Sequence, residues 1–223
     1  MAKYYGTKIK TPVGDLAWVN IVDGQSYMGG AEKFQATLEL KTDSEECQSL
    51  IKLIREEWKE NKAKGAKNPK MPFSVKRRKT DEEDENGDPV YEDTDYTKFT
   101  ASTRKFNAKG DLQKVQVFNA KGAPVSLGTQ QIGNGSRGLL MATCKVYTIQ
   151  DPTTKVIGNC GVSLYLSGIQ LAKFIPYAAD AVEAPTALDE GDFDGVEPEL
   201  KEEAGSPTTA TRRDEDDAPT VEL

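Results

Sequence analysis

Alternation of apolar and polar residues with a period of two runs through most of the first 177 residues, and it restricts the chain to a mainly β fold. Lys33–Lys41 sets Phe34, Ala36, Leu38 and Leu40 on one face. Leu16–Val22 reads as a strand, as do Tyr96–Phe106 and Leu112–Phe118. Two longer strands, Leu139–Ile149 and Cys160–Ile175, flank a turn around Asp151-Pro152. The pentapeptide Phe-Asn-Ala-Lys-Gly occurs at 106–110 and again at 118–122. Asn and Gly tolerate positive φ, so each copy predicts a hairpin turn and the segment an antiparallel meander.

One helix interrupts the strands. Cys47, Leu50, Ile51, Ile54 and Trp58 fall at helical spacing, Asp43 is the expected cap with Glu46 as its capping-box partner, and Asn68-Pro69 is a stop signal. At least five strands with a helix between early ones suggest a Greek-key barrel of OB type. Periodicity alone allows a β-sandwich equally well.

Charge divides the chain. Residues 178–223 hold 3 basic and 15 acidic residues, a net of -12 within a total of -7. Ala, Pro, Gly and Thr dominate the rest, and Phe193 is the only aromatic there. Such a segment buries too little apolar area to offset the entropy of ordering it, so 178–223 is expected to be a disordered acidic tail behind one domain, 1–177. That domain is net +5, and +14 without the nine acids of Asp81–Asp95, which reads as a long exposed loop around Asn86-Gly87-Asp88-Pro89.

Several function classes drop out. With no histidine there is no Ser-His-Asp or Cys-His catalysis and no His-ligated metal. Cys47, Cys144 and Cys160 lie too far apart for a zinc knuckle and read as small core residues. Their odd number and the polar N-terminus predict a reducing cytoplasm and no targeting segment. No apolar run approaches the ~18–20 residues that span a bilayer. Glu82–Asp93 only superficially matches a calcium loop, and its acids are not preorganised for catalytic magnesium. Gly133–Gly138 lacks the Gly-Lys-Ser/Thr ending of a phosphate loop. The chain is therefore expected not to be an enzyme and to carry no cofactor or metal.

Sorting the strands by parity gives a candidate binding face. Phe99, Ala101, Val117, Leu140, Ala142, Cys144, Val146, Val162, Leu164 and Leu166 point inward. Lys98, Arg104, Phe106, Lys114, Phe118, Lys145, Tyr147 and Tyr165 point outward. Cations interleaved with aromatics are what a single nucleic-acid strand requires, because phosphates need neutralising and unpaired bases need flat surfaces to stack on. Phe73 and Arg77, the latter in the basic run Lys76–Lys79, extend the set. Taken singly, each of these residues fits a solvated strand face as well, and a one-residue bulge inverts part of the assignment.

The chain resembles the single-stranded-DNA-binding proteins of lytic podoviruses. The resemblance rests on Met71-Pro-Phe73, on Lys98-Phe-Thr-Ala-Ser-Thr-Arg-Lys-Phe106 and on Val115-Gln-Val-Phe-Asn-Ala-Lys-Gly122. It continues through Ile132-Gly-Asn-Gly-Ser-Arg-Gly-Leu-Leu140, Lys145-Val-Tyr147 and Gly161-Val-Ser-Leu-Tyr-Leu-Ser-Gly-Ile-Gln-Leu171 to the acidic tail. It implies an OB fold, binding of single-stranded DNA without strong sequence preference in replication, recombination and repair, a homodimer, and work in the cytoplasm of an infected bacterial host. It also implies a tail that docks the phage DNA polymerase and helicase-primase, here through Asp192, Phe193 and Asp194 and through Asp214, Glu215, Asp216, Asp217 and Leu223. The sequence departs from the family in ending on Leu223 where relatives place an aromatic. A virion or assembly protein with a solubilising tail is the alternative.

Overall fold

The computed structural model describes residues 4–26, 30–154 and 156–177. The tail expected at 178–223, with its proposed docking residues, lies outside them. Among the described residues eight strands and one helix follow in the order β1 (Thr7–Lys10), β2 (Gly14–Gln25), β3 (Lys33–Lys41), α1 (Glu45–Asn61), β4 (Phe73–Glu83), β5 (Pro89–Arg104), β6 (Gln116–Phe118), β7 (Ser136–Gln150) and β8 (Ile157–Lys173). Among the described residues no helix is long and apolar enough to cross a membrane.

Five strands close into a ring. β2 pairs with β3, β3 with β5, β5 with β8, β8 with β7, and β7 returns to β2. Within the ring every pairing is antiparallel except β5 with β8. That is the OB barrel, and the closed ring excludes the sandwich that periodicity left open. The predicted inward residues fill it: Phe99, Leu38, Leu140 and Leu164 are almost wholly buried, and so are Cys47, Cys144 and Cys160. Burial is the largest cause pushing the Cys144 thiol up to about 12, with the Glu57 carboxylate adding to it. This cysteine is therefore a core residue rather than a nucleophile.

α1 lays its apolar stripe, Cys47, Leu50, Ile51, Ile54 and Trp58, toward β7, β8 and β3. Its cap is Ser44, whose Oγ accepts from the Cys47 amide at 3.2 Å; Asp43, the expected cap, stands one residue too early. Glu57 is the one charged residue of the helix that is buried, and it ties the N-terminal segment down. Tyr4 Oη donates to it, Thr7 Oγ1 donates at 2.8 Å, and Asn61 adds a third donor.

Two further sequence-based expectations need correction. Asp81–Asp95 is not a loop but the body of a hairpin formed by β4 and β5. Its acids face the basic run across the ladder, Arg77 against Asp93 and Arg78 against Glu92, so charges that repel along the chain pair across it. The calcium-like spacing is the hairpin's turn. Asp84 Oδ1 accepts the amides of Asn86 and Asp88, and Gly87 takes a φ of 80°.

The antiparallel meander is also reduced, to single bridges of Phe106 with Leu112 and Phe118 with Pro124. Both Phe-Asn-Ala-Lys-Gly copies do form turns, with Asn107 and Asn119 each accepting two backbone amides. Yet Leu112–Phe118 shortens to β6, which pairs parallel with β8 where β5 leaves it. Val162, Leu164 and Leu166 point inward as expected, and beyond them Ser167 bulges out of β8. The inward parity therefore shifts from Val162, Leu164 and Leu166 to Ile169 and Leu171.

Candidate nucleic-acid interface

β3 and β5 are the second and third strands of the ring, counted from β2. In barrels of this type that face, with the loops at its ends, takes oligonucleotides. Their register sets the outward side chains in cross-strand pairs. Lys33 stands opposite Arg104, and Glu39 opposite Lys98. All three cations are exposed and have no ion-pair partner among the described residues. Like charges directly opposite one another on a strand pair are destabilising. A pair such as Lys33 and Arg104 is relieved by an anion between them. Six residues of strand separate Lys98 from Arg104, roughly 20 Å at about 3.3 Å per residue.

Glu39 does not cancel Lys98. Its carboxylate is mostly covered, and Lys76 Nζ holds it at 2.6 Å while also lying over the Tyr96 ring. Beside these residues runs an open groove of about 810 Å³ between β2 and the β4–β5 hairpin. Lys98 and Ser74 line it together with two aromatics that meet little protein: Trp18, 72% exposed, and Tyr91, 56% exposed. Arg77 lines it too, with its Nε 3.0 Å from Asp93.

The outward residues predicted from parity therefore do not share one face. Lys98 and Arg104 lie on β3–β5, and Phe106 follows beyond the end of β5, 47% exposed with Lys105 over its ring. Lys145, Tyr147 and Tyr165 form a second cluster on β7 and β8. A closed ring of five strands turns the outward direction by roughly 70° per strand, so faces continuous in an open sheet part company here. Burial, then the neighbouring Cys160 and Tyr165, raises the Tyr147 hydroxyl above its ordinary value. Lys114 and Phe118 line a separate apolar groove with Ile21, Val22, Val125 and Leu127. Phe73 faces the core. Its ring packs on Phe99 at 5.8 Å and lies beneath the Arg55 guanidinium.

Sequence reasoning missed Trp18, Tyr91 and Lys33. In a regular strand Trp18 would share its face with buried Leu16, and Tyr91 lay in the supposed loop. Lys33 becomes significant only through its register with Arg104. One signal was available: the same parity put polar Asn20 beside Trp18, a conflict that a bulge resolves. Among the described residues no group of three or more potential ligands is placed to hold a metal.

No protein-family model matches the chain, and no curated protein matches it in sequence. Solved structures do match it in fold. One is the single-stranded DNA-binding protein gp2.5 encoded by bacteriophage T7, at a TM-score of 0.51 and 15% identity, covering 86% of this chain and 100% of that one. Another is a C-terminal truncation of the single-stranded DNA-binding protein of bacteriophage Enc34, at 0.50 and 13%, covering 76% and 88%. The barrel described here is thus similar in fold to phage single-stranded DNA-binding proteins.

Proposed function

We propose that the chain binds single-stranded DNA without strong sequence preference, along the outer face of β3 and β5. The carrying observation is that three cations with no ion-pair partner among the described residues, Lys33, Lys98 and Arg104, share that face with the groove that displays Trp18 and Tyr91. Phosphate neutralisation plus base stacking favours a strand whose bases are unpaired, and every base offers a stacking face. The fold shared with phage single-stranded DNA-binding proteins supports the same reading.

The wider role follows from the resemblance of the sequence. The protein coats DNA during replication, recombination and repair in an infected bacterial host, as a homodimer and without catalysis. The tail, net -12, competes with DNA for the basic face and, once displaced, recruits the phage polymerase and helicase-primase.

Fluorescence anisotropy tests the binding. A labelled strand of about 30 nucleotides should bind more tightly than its duplex, with a log–log salt slope of about -0.7 per phosphate neutralised, or near -2 for three cations. Removing residues 178–223 should tighten binding. Flat titrations of both forms at low salt would dismiss the proposal and leave an assembly role.

A further inference from the structure

We infer that Trp18 is the base-stacking anchor of the groove and that Asn134 is the residue that positions it. This rests on the function proposed above and names the residues that do the stacking.

The observation is a broken alternation. In a regular strand Leu16 and Trp18 would share a face and Ala17 and Val19 the other. Instead Leu16, Ala17 and Val19 are all buried, and the largest side chain of the strand stands 72% exposed. The backbone does this at Trp18 itself, with a φ of 51°. Among the described residues only Asn68 shares a positive φ without being glycine, and Asn tolerates it where a bulky aromatic does not. The β2–β3 ladder shifts register between Ala17 and Asn20, the mark of a bulge that re-aims a side chain.

Folding gains little from an indole left in water, so the core does not explain the conformation. An external contact holds it. The Trp18 amide donates to Asn134 Oδ1 at 3.0 Å, from the turn preceding β7, and the Gly135 amide donates to the Leu16 carbonyl in the same turn. Strained residues held by their surroundings gather at binding sites. Here the indole lines the same groove as Tyr91, with Lys98 also on its wall. That combination suits a base on the ring and a phosphate on the ammonium.

The chain has two tryptophans, and the other, Trp58, is only 9% exposed in the helix–barrel contact. Fluorescence that acrylamide can quench therefore reports on Trp18. The full-length protein is titrated with an unlabelled thymidine oligonucleotide of about 30 residues while anisotropy of a labelled copy follows binding in parallel. The oligonucleotide should quench the accessible fluorescence and shield it from acrylamide.

Trp18→Gly should weaken binding roughly 5- to 150-fold, the value of one stacked base. Its Tm should hold or rise, because glycine adopts positive φ without strain. Trp18→Phe should restore most of the affinity. Asn134→Ala should weaken binding in wild type but add little to Trp18→Gly.

A Trp18→Gly protein that melts earlier yet binds as wild type would make Trp18 structural and overturn the inference. So would anisotropy showing binding with no change in the accessible fluorescence, although the proposed function would stand. Unchanged affinity and acrylamide access in Asn134→Ala would remove the positioning role. No binding by anisotropy at any salt would take down the proposed function itself.

Discussion

Reversing both Lys33 and Arg104, as Lys33→Glu with Arg104→Glu, is expected to weaken single-stranded DNA binding on the order of 100-fold at low salt and to flatten the salt slope by about 1.4, two phosphates' worth. The expectation comes from their register. The two cations face each other directly across β3 and β5 and carry no counter-charge among the described residues. The free protein therefore holds a repulsion that a phosphate removes. Arg104→Glu alone separates binding from stability. It converts a like-charge pair into an opposite-charge one, so Tm should hold or rise while affinity falls. Anisotropy across a salt series together with thermal melting measures both.

Phe99→Ala is expected to destabilise the fold by about 3–5 kcal/mol, the usual range for truncating a buried phenylalanine to alanine. Phe99 is wholly buried, pairs with Leu38 across the β3–β5 ladder, and packs its ring against Phe73. It lies beside Lys98 on β5, so the residue that fixes the core adjoins one that presents charge outside. Urea unfolding should show a lower midpoint with little change in slope. The molecules that remain folded should still bind DNA.

Much of the barrel was legible in the sequence because a period of two is a local signal. β3 was bounded to the residue, α1 carried its five apolar residues at helical spacing, and both Asn-Ala-Lys-Gly turns formed where they were expected. The misreadings came from interactions between distant segments. The acidic run looked like a loop until Arg77 and Arg78 faced it across a ladder. Leu112–Phe118 lost its meander to a parallel partner about fifty residues further along the chain.

The proposed binding face was partly legible for the same reason. Parity identified Lys98 and Arg104, since buried Phe99 and Ala101 take the opposite face of the same strand. It could not show that the strands carrying Lys145, Tyr147 and Tyr165 face another way, because closure of the ring is set by pairing rather than by pattern. Trp18 was hidden by the bulge that exposes it.

Lysine footprinting is the most direct test of where the DNA lies. The full-length protein is acetylated briefly with and without a saturating single strand, and modification at each lysine is read by mass spectrometry. DNA along β3 and β5 predicts strong protection at Lys33 and Lys98, with Lys8 on β1 and Lys52 on α1 unchanged. Protection confined to Lys145 or Lys114, with Lys33 and Lys98 still reacting freely, would contradict the account and move the binding face to β7–β8 or to the groove beside β6.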